Sequence, residues 1–134
     1  MIVDTSALLA VLFDEPDAML YARTIAEAPN CRMSVANFME AAFVVESRAG
    51  VAGGHELDLF LEAAAIDLEP VTVEQARAAR RAWRRFGKGN HRAGMNFGDC
   101  FAYALSEITG EPLLYKGADF ALTDVETTQL QSES

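Results

Sequence analysis

Cysteine is scarce in this chain: 134 residues contain two, Cys31 and Cys100. They are far apart and form no CxxC pair, so no disulfide framework or cysteine metal knuckle is expected. Both read as buried thiols. Histidine is equally sparse, and His55 and His91 lie in different segments without zinc-ligand spacing. Four prolines and nine glycines exclude collagen-like and linker compositions. Long apolar runs are missing too. The early run from Ala7 to Phe13 falls far short of the roughly 20 residues a membrane helix needs. No Lys or Arg precedes it, so no signal peptide is expected. With Ile2 at the second position and no C-terminal Cys box, no lipid anchor is expected. A cytoplasmic protein with no membrane partner is the expectation. Positive charge is also in short supply. Eleven Lys and Arg against 20 Asp and Glu give a net charge of −9, which at first sight argues against a nucleic-acid partner.

What is present is globular. Half of the residues (51%) are hydrophobic and 23% are charged, which excludes a disordered chain. The length suits one domain of roughly 100–200 residues, burying about two-thirds of its unfolded surface.

Short β-prone runs alternate with helical patterns. Strands are expected at Met1–Val3, Cys31–Ser34, Ile66–Val71 and Leu113–Tyr115. Helices are expected at Ala7–Phe13, from Pro16 onward, at Val35–Ala49, Glu56–Ala65, 72–86, and from Asn96 or Gly98 to Ile108. Thr5 or Ser6 can cap the first helix, Gly50 to Gly54 reads as a loop, and Thr72-Val73-Glu74-Gln75 reads as a capping box. This order favours an α/β fold with a mainly parallel sheet. Residues 1–126 form a single domain in this reading, and 127–134 a frayed tail.

In open parallel sheets, ligands bind beyond the carboxyl ends of the strands. Asp4 ends the first strand, Asp119 follows the last by a short loop, and Asp99 lies in the first turn of a helix. Glu40 falls on a helix face beside Ala36, Asn37, Phe43 and Val44, where an unpaired charge is costly. Each acid alone has a structural explanation: a cap for Asp4, a capping box with Asn96 for Asp99, an Asx-turn for Asp119, escape to solvent for Glu40. Together they form a carboxylate cluster that a hard divalent cation, Mg²⁺ or Mn²⁺, can relieve. Such a site can hydrolyse phosphodiesters without histidine or cysteine.

These residues resemble a PIN domain of the VapC toxin type. The resemblance rests on Ile2-Val3-Asp4-Thr5-Ser6-Ala7-Leu8, on Glu40, on Asn96-Phe97-Gly98-Asp99-Cys100-Phe101-Ala102-Tyr103-Ala104, and on Leu113-Leu114-Tyr115-Lys116-Gly117-Ala118-Asp119-Phe120. It implies a three-layer α/β/α sandwich and a Mg²⁺- or Mn²⁺-dependent endoribonuclease. It also implies a homodimer neutralised by a VapB-like antitoxin. Asp4, Glu40, Asp99 and Asp119 are then the catalytic and metal-binding acids, with Thr5 and Ser6 in support. Relatives often carry an acid pair before the phenylalanine, whereas position 118 here is Ala, so Asp124 stands as an alternative or auxiliary ligand. A non-catalytic RNA-binding module on the same fold is the competing reading.

The positive charge is concentrated. Seven of the eleven basic residues lie between positions 77 and 92, with no acid among them. At about 100° per residue, Arg77, Arg80, Arg81, Arg84 and Arg85 share one helix face. Ala79, Ala82, Trp83 and Phe86 fall opposite, so Trp83 is expected in the core. Arg81, Arg84, Arg85, Lys88 and Arg92 are candidate RNA contacts, and the glycines at 87, 89 and 94 suggest an adaptable loop.

Overall fold

The computed structural model describes residues 1–131. Its elements run β1 (Ile2–Val3), α1 (Thr5–Leu12), α2 (Ala18–Glu27), β2 (Cys31–Ser34), α3 (Val35–Ala63), β3 (Ile66–Glu69), α4 (Val73–Phe86), α5 (Phe97–Thr109) and β4 (Leu113–Leu114). The four strands are all parallel, in the order β3-β2-β1-β4. Strand alternation sorts the core onto two faces. Ile2 and Leu113 pack with α4 and α5 on one face. Val3 and Leu114 pack with α1, α2 and α3 on the other. The result is a three-layer α/β/α sandwich, as expected. Among the described residues no helix is long and apolar enough to cross a membrane.

Strand order reverses direction at β1. The chain leaves β1 towards β2 and β3, then returns on β1's other side as β4. This switch point, with its crevice at the strands' carboxyl ends, is where α/β sheets bind ligands.

Several local expectations are corrected. The first helix starts at Thr5, and Asp4 rather than Thr5 or Ser6 is its N-cap. Asp accepts the orphan N–H groups at that position as well as Ser does. Pro16 lies ahead of α2, whose N-cap is Asp17. The expected break is present at Gly50 alone, a non-helical residue (φ 66°) where two helical stretches meet within α3, while residues 51–54 are helical rather than a loop. Gly53 and Gly54 are buried there because a Cβ would stand 2.6 Å from Ala49 Cβ or Glu46 Oε2. Thr72 caps α4 through the Gln75 N–H. Both cysteines are buried and free.

The expected tail begins with ordered contacts. Thr128 N–H donates to Leu113 O (3.0 Å), and Gln131 N–H donates to Thr24 Oγ1 (2.9 Å). The rest of that segment, 132–134, lies outside the described residues.

Candidate active site

Asp4 is carried to the switch point by buried β1. One carboxylate oxygen, Oδ2, accepts from the Ser6 backbone N–H (3.0 Å) and the Ser6 hydroxyl (2.6 Å). The other, Oδ1, is buried without a hydrogen-bond partner. Burial pushes the Asp4 carboxyl up to about 6; the Ser6 hydrogen bonds oppose that shift, and the nearby Glu40 charge adds to it.

Asp99 is the third residue of α5 and completes the capping box. Its Oδ2 accepts from Asn96 N–H (2.9 Å), while Asn96 Oδ1 accepts from Asp99 N–H (2.9 Å). The structural and functional readings of Asp99 are therefore compatible, since the box occupies one oxygen. Asp99 is also raised well above the carboxylate range. Burial is the main cause, the Asn96 N–H opposes it, and a hydrogen bond with Asp119 and the charges of Asp4 and Asp119 add to it. Asp119 itself is exposed at the mouth of the crevice.

Glu40 comes from α3 and is half-buried against Gly98. A Cβ at position 98 would stand 2.6 Å from the Glu40 carboxyl carbon. Gly98 is thus the gap that lets Glu40 approach the start of α5. The structure brings all four expected acids to one edge, close enough for Asp4 to feel Glu40 and for Asp99 to feel Asp4 and Asp119.

The supporting residues divide. Ser6 touches Asp4, whereas buried Thr5 donates to Asn37 O (3.2 Å) and ties α1 to α3. Asp124 is not brought to the acid edge. It pairs with Arg85 (3.1 Å) and accepts a hydrogen bond from Tyr103, one turn further along α5. Those contacts hold its carboxyl below the usual range.

Two contributors escaped the sequence reading. Asn37 is fully buried and donates to Gly98 O (2.9 Å), leaving its own Oδ1 unpartnered. Its position three residues before Glu40, on the same helix face, was the available signal. Lys116 donates its backbone N–H to Ser6 Oγ (2.9 Å). Its Nζ reaches Glu15 (2.6 Å) and Asp17 (2.8 Å). The exit of β4 is thereby fastened to the α1–α2 turn, and Ser6 is held towards Asp4.

Among the described residues, no three acid, histidine or cysteine side chains are already drawn into one metal cluster. The donor set nevertheless fits a hard cation. It is all oxygen, one buried oxygen lacks a partner, and Mg²⁺ keeps several waters rather than demanding a closed protein cage.

The cationic helix is only partly as expected. Arg81, Arg84, Lys88 and Arg92 are exposed. Among the described residues they form no salt bridge, whereas Arg85 is engaged by Asp124 and lies 4.7 Å from the Phe86 ring centre. Trp83 is not in the core. The buried residues Ala78, Ala79, Ala82 and Phe86 centre about 150° from Arg77, and Trp83 sits about 90° off that centre, beside Arg80. The following loop is strapped, with Lys88 N–H donating to Met95 O and Met95 N–H to Phe86 O (both 2.9 Å).

The PIN domain family profile matches residues 1–126. The chain belongs to the PIN-domain family. Its relatives place it among the VapC proteins of that family. Ribonuclease VapC of Mycolicibacterium smegmatis is 56% identical over 125 residues, 93% of this chain and 97% of the relative. Ribonuclease VapC30 of Mycobacterium tuberculosis is 54% identical over 131 residues, covering 97% and 99%. The PIN fold is shared with solved structures at much lower identity. One is the M. tuberculosis toxin VapC20, described as cleaving the sarcin–ricin loop (TM-score 0.77, 17% identity, covering 95% of this chain and 97% of that one). Another is Rickettsia felis VapBC2, bound to a DNA fragment from its promoter (TM-score 0.76, 11% identity, 97% and 98%).

Proposed function

We propose that this protein is a metal-dependent endoribonuclease toxin that cleaves RNA phosphodiester bonds and is neutralised by a VapB-like antitoxin. The observation that carries this reading is the meeting of Asp4, Asp99 and Asp119 at the switch point. There one buried Asp4 oxygen lacks a partner, and burial with the charges of Asp4 and Asp119 pushes the Asp99 carboxyl up. A binding surface for phosphate has no use for such a cluster, because it repels the ligand. Relatives over nearly the whole chain bear the name ribonuclease.

Asp4 and Asp99 would hold Mg²⁺ or Mn²⁺, with Asp119 as a third oxygen donor. The ion would supply Lewis acidity at a phosphoryl oxygen and an acidified water. The remaining roles belong to the chain itself. Ser6 fixes the orientation of Asp4. Asn37 holds α3 to the start of α5, so Glu40 stands where it can accept a proton from, or orient, the attacking water. Arg81, Arg84, Lys88 and Arg92 offer phosphate contacts that position the strand without reading its sequence.

The antitoxin follows from the family and from solved neighbours that are toxin–antitoxin complexes, including one from Klebsiella pneumoniae. A cationic side chain entering the acidic crevice would compete with the ion. A homodimer acting in the cytoplasm completes the proposal. The test is cleavage of single-stranded and structured RNA by purified protein. Activity lost with chelator and restored by Mg²⁺ or Mn²⁺ is expected. Metal-independent RNA binding without cleavage would instead identify a non-catalytic module.

A further inference from the structure

The displaced Trp83 faces a cleft of about 500 Å³ between α4 and α5. Trp83 is 47% exposed and Phe97, on the α5 side, is 80% exposed. Arg80, Lys88 and Asn96 also border the cleft. Such a volume is within the usual range for a small-ligand pocket.

The walls are already set. A Cβ at Gly87 would stand 2.7 Å from the indole Nε1, so the glycine lets the ring lie against the backbone. Trp83 O accepts from Gly87 N–H (2.8 Å) and Asn90 Nδ2 (3.1 Å), which fixes the end of the helix beneath it. Phe97 meets Phe101 edge-on at 4.9 Å. Walls held in this way reduce the ordering cost of binding.

The cleft also adjoins the acids. Asn96, which borders the cleft, donates its backbone N–H to Asp99 Oδ2 (2.9 Å). We infer that this cleft takes an unstacked nucleobase of the RNA, next to the scissile phosphate, between Trp83 and Phe97. Arg80 and Lys88 meet the adjoining phosphates. This rests on the nuclease reading and adds to it a base subsite beside the acids.

Three features favour a base. Exposed aromatic faces stack on any base, whatever its sequence. The rim is cationic, and among the described residues neither Arg80 nor Lys88 is paired with an acid. A second copy of the chain fits this face less well. A two-fold contact brings the same patch together from both subunits, and here it would set the arginine stripe against itself.

Trp83 is the chain's only tryptophan, so its fluorescence reports on the cleft alone. Metal-free protein is titrated with a mixed-sequence single-stranded RNA decamer and with the same strand in a full duplex. Strong quenching by the single strand, and little by the duplex at equal phosphate concentration, is expected. Phe97→Ala is expected to weaken single-strand binding about tenfold, the scale of one lost base stack. Trp83→Phe, read by anisotropy of a labelled decamer, should bind within a few-fold of wild type, and Trp83→Ala about tenfold worse.

Equal quenching by duplex, or an unchanged Kd in Phe97→Ala, overturns the proposal. A concentration-dependent blue shift without RNA, with loss of acrylamide access, assigns the cleft to a second copy and also overturns it. Cleavage with a silent Trp83 removes the cleft and leaves the nuclease reading standing. Quenching without metal-dependent cleavage does the reverse.

Discussion

Asp119 and Asp124 are five residues apart, yet they meet opposite company on the same helix. Asp119 lies near Asp99 in the first turn of α5, where the buried Asp99 carboxyl is pushed up and the Asp119 charge adds to that. Asp124 reaches Tyr103 one turn later, with Arg85 alongside, and is pushed down. One pair leaves charge uncompensated at the crevice. The other is a satisfied tie between α4, α5 and the chain's last segment. An acid's neighbours, not its place in a motif, decide whether it holds the fold or awaits a ligand.

The sharpest way to break this comparison is to neutralise each side. Asp99→Asn or Asp4→Asn is expected to cut RNA cleavage about a thousandfold or more, the scale of losing roughly 4 kcal/mol of transition-state stabilisation. Asp124→Asn should leave cleavage within about twofold. Its cost should appear as a small drop in denaturant midpoint, because the Arg85 pair is half-exposed and solvent-screened. A comparable loss of cleavage from Asp124→Asn would mean that both aspartates serve the chemistry.

The next effect is on stability against pH. The Asp4 carboxyl rises from an ordinary 3.8 to about 6 on folding. The native state therefore holds this proton more tightly than the unfolded chain does. Its contribution is full below pH 4 and is lost as pH rises through 6, by up to about 3 kcal/mol. Metal-free Asp4→Asn should thus gain on metal-free wild type between pH 4 and pH 7 in paired melts. A difference independent of pH would show that Asp4 is not raised.

A smaller effect is expected at the gap beside Glu40. Gly98→Ala should fold, since the atoms it meets end a flexible side chain. It should lower cleavage by roughly 10- to 100-fold by turning Glu40 away, as disturbed support around a metal site commonly does. Cleavage unchanged in folded Gly98→Ala would remove Glu40 from the reaction.

The smallest effect separates the arginines. Arg81→Glu with Arg84→Glu should flatten the salt dependence of single-stranded RNA binding by about 1.4 in log–log slope, for two lost phosphate contacts. Arg85→Glu alone should change the slope little, because Asp124 already holds that guanidinium. Equal slopes for all three proteins would take the stripe off the RNA path.

Much of this was legible in the chain. Asp4 after a β-prone run, Asp99 in a first helical turn and Asp119 after the last strand all follow from local pattern plus the strand-end rule. Glu40 stood out because its helix face is apolar. Trp83 was misplaced because a helical wheel gives an angle but not the width of the buried sector. That width depends on how closely α5 approaches, and three alanines on α4 let it come close. Gly98 and Asn37 were silent because their roles are contacts across 58 and 61 residues of sequence, Gly98 with Glu40 and Asn37 with Gly98. Asp124 looked like a spare ligand for the same reason, since nothing in its neighbourhood announces Tyr103 or Arg85.

Element type, the parallel sheet and the acids' arrival at one edge were determined by the sequence alone. Hydrophobic period, caps and strand ends are local, and local forces write them into the chain. Which acids are left unsatisfied, which arginines are paired with an acid, and which aromatic faces solvent were decided only by tertiary packing. Those properties are balances of burial and pairing between distant segments, and they do not exist until the segments meet.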